Sequence, residues 1–289
     1  MVLDPSRLIG KDFPEKRFSY TERDTQLYAL SVGMAQNPLD RHELPFACGP
    51  QTPVLPTQAT VVAWDYDFIL QSGINEALIL HGAQQVEIHS SLPPVAEIIS
   101  RFAVTDVFDK GAGKGAVIVA RTQLFEASTH TPLCTNTWTS YARGEGGFGG
   151  ERGPSSPVNP PPPRPADHQV DCRTWPNQPL FYRLLGDRNP LHVEPDFAAL
   201  GGFERPIMHG LCTYGIACRA VVAAACSYLP RRVLDFYCQF AAPALPGDTI
   251  RTEIWIDAET AIFRCHAIER GVEVVVNGRA RIARQVPEK

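Results

Sequence analysis

Apolar and polar residues alternate through "AVIVARTQLFE" (residues 116–126) and "LCTNTWTSYAR" (133–143), a two-residue period that predicts strands with one buried face. The same alternation recurs in "EIISRFAVTDVF" (97–108), "DTIRTEIWIDA" (248–258), "AIFRCHAIER" (261–270) and "VEVVVNGRARIAR" (272–284). One stretch breaks it. "HGLCTYGIACRAVVAAACSYL" (209–229) is apolar nearly all round, the pattern of a helix buried on most faces. Shorter helices are expected in "LYALSVGMAQNPLD" (27–40) and "FYRLLGDRNPLH" (181–192).

These elements come twice. The two short helical stretches share an aromatic, a leucine, a glycine and the tripeptide Asn-Pro-Leu, with two extra residues in the first copy. Downstream, "VEIHSSLP" (86–93) corresponds to "QFAAPALP" (239–246), and each is followed by strand-like text. A repeat of about 150 residues is too long for a solenoid and points to a duplicated domain. Between the copies, "GEGGFGGERGPSSPVNPPPPRPADHQVD" (144–171) is rich in glycine and then proline, which neither continues a helix nor donates to a sheet. It is expected to run along the outside as a linker. The division is therefore 1–150, a linker at 151–170, and 171–289. The fold class is α+β, two antiparallel sheets each wrapped on a helix, forming a pseudo-dimer in one chain. The first unit is degenerate, because "QATVVAWDYDFILQSGINEALILHG" (58–82), where its long helix should be, has too much valine and aromatic content to match.

Composition narrows the function. With 27 basic and 31 acidic side chains in 289 residues there is no general positive field, so nucleic acid is not an expected partner. A small anionic ligand stays possible through local lysines. The longest apolar run is interrupted by Arg219 and is well short of the roughly 20 residues that cross a bilayer. The charged N-terminal text "MVLDPSRLIGKDFPEKRF" is unlike a secretory signal. The eight cysteines show no C-x-x-C pair and no metal-type spacing, and are expected to be reduced core residues.

Candidate chemistry sits in only one copy. Aligning the Asn-Pro-Leu tripeptides sets Asp187 opposite Ala35 and His192 opposite Asp40, so the second copy alone carries both an acid and a histidine. A turn needs the Asn and Pro but not these two; as turn formers alone, Asp187 would cap the loop and His192 would be a satisfied loop histidine. A second feature is "RPIMHGLC" (205–212), which places Gly210 at the start of the apolar helix. The free amides and dipole of a helix start can hold an oxyanion, and glycine lets a carbonyl approach; packing alone would also account for it. A metal is not expected, since two candidate ligands, Asp187 and His192, without a third carboxylate or histidine nearby make a poor site.

The stretch "YRLLGDRNPLHVEPDFAALGGFERPIMHGLC" (182–212) resembles the type 2, R-specific enoyl-CoA hydratases, a MaoC-like double-hotdog family that includes the hydratase unit of peroxisomal multifunctional enzymes. "LHGAQQVEIHSSLP", "DVFDKGAGKGAVI", "GEGGFGGER" and "FAAPALPGDTI" match that family in order and spacing. The resemblance implies a double hotdog whose second unit keeps the catalytic residues and whose first has lost much of its helix, opening space for bulky acyl chains. It implies reversible hydration of a trans-2-enoyl-CoA to the (R)-3-hydroxyacyl-CoA by Asp187 and His192, with Asn189 orienting the water or the histidine and the Gly210 amide binding the enolate. His81, Gly82, Lys110 and Phe240 are the implied coenzyme A contacts, with Arg188, Pro190 and Leu191 beside the catalytic pair. Lys110 suits a phosphate, although a solvated turn lysine and a core Phe240 are the plain alternatives. Glu151 departs from the family, where a lysine is frequent. No cofactor is implied beyond the coenzyme A carried by the acyl-CoA substrate. A homodimer is expected, and a cytoplasmic location over a peroxisomal one, because "RQVPEK" is not an S-K-L type address. A dehydratase acting in the reverse direction, an acyl-CoA thioesterase and a non-catalytic acyl carrier are the rival readings.

Overall fold

The computed structural model describes residues 3–49 and 51–285; the final residues of "RQVPEK" lie outside them. The first half runs β1 (Lys16–Tyr20), α1 (Glu22–Ser31), α2 (Leu44–Ala47), α3 (Asp67–Ser72), β2 (Ile79–Ile88), β3 (Ala96–Asp109), β4 (Ala116–Glu126) and β5 (Pro132–Ala142). The second runs β6 (His168–Arg173), α4 (Gln178–Tyr182), α5 (Pro195–Leu200), α6 (Gly210–Cys226), β7 (Val233–Phe240), β8 (Thr249–Asp257), β9 (Thr260–Ala267) and β10 (Val272–Ile282). Each alternating stretch forms a strand, and the all-apolar stretch forms α6.

All ten strands join one antiparallel sheet in the order β1-β3-β4-β5-β2-β7-β10-β9-β8-β6. Counted outward from the central pair, the halves repeat the same sequence of strands: β2, β5, β4, β3, β1 on one side and β7, β10, β9, β8, β6 on the other. The seam is the antiparallel pairing of β2 with β7, Ala83 opposite Gln239 through Glu87 opposite Asp235. Duplication explains the order, and the sheet closes the pseudo-dimer without a second chain. This is the α+β double hotdog.

α6 packs against β7, β8, β9 and β10 and also reaches β2 of the first half. Its residues Leu211 through Val222 are all buried. Gly215 permits the tight fit, because a Cβ there would lie 2.5 Å from Val32 Cγ1, just past the end of α1. No equivalent long helix exists among the described residues of the first half. In its place stand two short 3-10 turns, Pro56–Thr60 and Glu76–Leu78, and the six-residue α3. The valines and aromatics of this stretch turn inward instead, leaving a cavity at the seam.

The connection between halves has no regular structure from Glu151 to Asp167. It is fastened to the outside of the second sheet by Gln239 Nε2 on the Pro157 carbonyl at 2.7 Å, by Asn159 on Asn277 at 3.0 Å, and by Trp255 Nε1 on the Arg164 carbonyl at 2.8 Å. β6 begins at His168, inside the stretch read from sequence as linker. Seven of the eight cysteines are buried, Cys48 being the exposed one, and all are free thiols.

Candidate active site

The chain enters the site through a glycine. Gly186 has φ +132°, and a Cβ on it would meet Trp64 Cβ at 3.0 Å, so both the turn and its packing require glycine there. Two nested side-chain turns then wind the next residues. Asp187 Oδ1 accepts from the Asn189 amide at 3.2 Å, and Asn189 Oδ1 accepts from the Leu191 amide at 3.0 Å. Pro190 starts a single 3-10 turn ending at His192. The result brings Asp187 and His192 to one wall of a cavity of about 400 Å³. Asn189 also lines it, but its Oδ1 is used in the turn, which leaves the amide nitrogen to meet a water.

Burial shifts the two catalytic candidates in opposite directions. Burial pushes the Asp187 carboxyl up to about 7, and the Asn189 amide opposes this only in part. Burial pushes His192 down to about 4, partly offset by its contact with the Ile207 carbonyl. That contact, 3.0 Å from Nδ1, also sets the tautomer. A carbonyl oxygen only accepts, so Nδ1 carries the proton and Nε2 is bare. The site therefore pairs a carboxylic acid that retains its proton to near neutrality with an imidazole ready to accept one.

Gly210 is the first residue of α6, where amides lack intrahelical acceptors and the helix dipole is positive. It faces the cavity beneath the Phe240 ring; a Cβ on residue 210 would lie 3.4 Å from that ring and narrow the cleft. His81, Gly82, Leu191 and Phe240 line the cavity as well. His81 is a neutral wall group: burial pushes it down to about 3, its Nε2 donates to the Ala83 carbonyl at 3.1 Å, and its ring packs 4.9 Å from that of Phe240.

Three residues named from sequence are not in the cavity wall. Lys110 sits after β3 with Nζ donating to the Arg152 carbonyl at 2.6 Å, and Arg188 is exposed. Pro190 is spent on starting the turn. Sequence reasoning in turn missed Trp64, Tyr66 and Trp138, whose rings stack with one another and form the cavity's first-half wall. For Trp64 and Tyr66 the signal was the aromatic content that made residues 58–82 unlike a helix; Trp138 lies in the middle of β5, where nothing in the alternation marked it.

It also missed the position of His209, and with it a third ligand type at the site. Ligating atoms of Asp187, His192 and His209 all lie within 4.8 Å of one another, which corrects the expectation that no further histidine is near. The set does not fit a metal. The two imidazoles stack with centroids 3.8 Å apart and planes at 30°, so those planes meet well beyond the roughly 2.0 Å reach of a metal–imidazole bond. His209 Nε2 is also occupied by the Asp187 carbonyl at 3.2 Å.

Comparison with known proteins identifies the family of each half. Residues 18–144 match the family described as MFE-2 hydratase 2 N-terminal domain, and residues 157–278 match the MaoC like domain. The chain is 40% identical to the enoyl-CoA hydratase ChsH3 of Mycobacterium tuberculosis over 96% of its own length and 98% of that protein's. It is 38% identical to 3-hydroxyacyl-thioester dehydratase Y of the same organism over 91% of each. The crystal structure of a MaoC-like dehydratase from Phytophthora capsici superposes with a TM-score of 0.85 at 27% identity, over 99% of this chain and all of that one.

Proposed function

Because the chain belongs to the MaoC-like family of type 2 enoyl-CoA hydratases, we propose that its cavity binds a trans-2-enoyl-CoA and adds water across the double bond to give the (R)-3-hydroxyacyl-CoA. It is a hydro-lyase of acyl-CoA metabolism. One observation carries the mechanism: Asp187, whose carboxyl burial pushes up to about 7, His192, whose Nδ1 is held by the Ile207 carbonyl, and Gly210 at the start of α6 all line the same cavity. Water attacks the β-carbon while His192 Nε2 takes its proton. The electron pair moves to the thioester oxygen, where the Gly210 amide at the helix start stabilises the enolate; loss of one such donor costs about 3 kcal/mol elsewhere. Asp187 then protonates the α-carbon, and transfer of the proton from His192 to Asp187 resets the site. The scheme balances with water alone and uses no metal or organic cofactor.

The test is a series of 2-enoyl-CoA substrates of increasing acyl length, followed by loss of the conjugated thioester's absorbance and by the configuration of the product. Hydration to the R alcohol is expected. Release of free coenzyme A without hydration, detected with a thiol reagent, would replace this reading with a thioesterase. The 3-hydroxyacyl dehydratase direction is a second reading supported by the name of one 38% identical relative. The same groups serve both directions, and the measured equilibrium and flux assign the physiological one.

Two further parts of the proposal have physical support. A reducing compartment, the cytoplasm, suits a chain with eight free thiols, seven of them buried. A homodimer suits the apolar surface around α4, where Leu180 and Leu184 are 54% and 56% exposed.

A further inference from the structure

We propose that His209 is a positioning residue that locks Asp187, His192 and the Gly210 amide into one geometry. The inference rests on the hydratase reading of the same cavity and assigns a task to a residue that touches no reacting atom in that scheme.

His209 is completely buried, at 0% exposure, yet carries two polar nitrogens. Nε2 lies 3.2 Å from the Asp187 carbonyl oxygen, an acceptor, so Nε2 carries the proton. Nδ1 is buried with no hydrogen-bond partner. A buried imidazole with an unsatisfied nitrogen costs stability, and a leucine or phenylalanine would fill the space without that cost. The Nε2 donation is what an apolar residue could not supply. It ties the backbone of residue 187, the start of the catalytic turn, to the residue that precedes α6.

The same ring does a second job. Its face lies against His192, centroids 3.8 Å apart, with Tyr182 4.9 Å from the His209 centroid. His192 is thus fixed by two contacts from one short segment: its Nδ1–H by the Ile207 carbonyl, and its face by the His209 ring. The backbone of His209 does a third, since its carbonyl accepts from Cys212 and Thr213 at 3.0 and 3.3 Å and begins α6. The next amide is that of Gly210. Acid, base and oxyanion donor come from two chain segments 18 or more residues apart, and His209 is the residue that contacts both the turn and the helix start.

Charge follows from position. Burial and the adjacent His192 both hold His209 well below its ordinary value, so it remains neutral. A neutral π face beside His192 also favours the cation that forms there when His192 takes the water's proton, whereas a charged His209 would oppose it.

The experiment compares His209→Ala, His209→Phe and His209→Gln. Phenylalanine keeps a ring against His192 and loses the donor; glutamine keeps a donor that reaches the Asp187 carbonyl and loses the ring. The alanine variant should lose about 10- to 100-fold in kcat, the scale of a misplacement near 1 Å, with KM within about twofold. Glutamine and phenylalanine should each restore part of kcat. Nitrogen-15 NMR provides a readout independent of turnover: wild-type His192 should show a single Nδ1–H tautomer, and the variants a mixture. A folded alanine variant with unchanged kcat, or a loss confined to KM, overturns the proposal. So does an unchanged His192 tautomer in all three variants. If wild type hydrates no enoyl-CoA but the tautomer responds as expected, the hydratase reading fails while the positioning role stands. If the alanine variant does not fold, the glutamine and phenylalanine variants decide by the same two measurements.

Discussion

Asp187 is costly to the fold, and pH shows by how much. Its carboxyl titrates near 3.8 when unfolded and about 7 when folded, so between those values the native state holds a proton that the unfolded chain has released. Stability contributed by this group is therefore present at acid pH and lost as pH rises toward and through 7. His192 has the opposite sign: ordinary value 6.5, folded value about 4, so the native state is penalised as pH falls through that window. Asp187→Asn keeps an acceptor for the Asn189 amide and removes the ionisation. It should stabilise the protein at pH 8 by on the order of a few kcal/mol, with the gain shrinking as pH falls toward 4, as measured by urea unfolding at several pH values. The same variant, and His192→Gln, should reduce hydration at least about a hundredfold, the lower end of acid-base contributions. A variant that loses activity without this alkaline gain in stability would show that Asp187 is already ionised in the folded state.

Elements decide which of two related turns becomes a catalyst. In the second half the Asn-Pro-Leu turn is pressed against the start of α6, and its acid and histidine gain a helix terminus to work with. Among the described residues of the first half no equivalent of α6 is available, and the equivalent positions have structural tasks. Asp40 Oδ1 accepts from the His42 amide at 2.9 Å, and its carbonyl accepts from Glu43 and Leu44. Glu43, at the start of α2, pairs with Arg219 of α6 at 2.6 Å with both side chains at 10% exposure or less. Asp40→Ala should therefore cost about 1 kcal/mol of stability, as a lost cap does, and leave kcat within about twofold. A folded Asp40→Ala protein as inactive as Asp187→Asn would place chemistry in both halves. This division was legible in sequence because the repeat set Asp187 and His192 against residues that are not acid and histidine. The strands and α6 were legible because burial imposes a period on a strand and uniform apolarity on a central helix. His209 was not, since its neighbours in the chain are apolar and its partners at 182, 187 and 192 meet it only through the turn. Nor was the cavity wall of Trp64, Tyr66 and Trp138, which comes from irregular text and the middle of a strand.

On the scale of the whole molecule, the duplication uses up an interface. Two separate hotdogs would join sheets edge to edge; here β2 and β7 make that contact within one chain, leaving the short strands β1 and β6 as the outer edges. In the proposed homodimer a second copy would therefore bind elsewhere. A cluster of exposed apolar side chains lies just before the catalytic turn, where Trp175, Leu180, Phe181 and Leu184 are 38%, 54%, 40% and 56% exposed. Four such side chains within ten residues are more than scattered surface hydrophobics, and covering them would stabilise association. Wild type should sediment at twice the chain mass of 31.8 kDa at micromolar concentration, and Phe181→Glu with Leu184→Glu at the single mass. Because Asp187, His192 and the Gly210 amide all come from one chain, the monomeric variant should keep kcat within about twofold. Sedimentation of wild type at the single mass would remove the dimer. Loss of kcat in a folded monomer would mean that the partner steadies the turn carrying Asp187, and that the site, although built by one chain, depends on two.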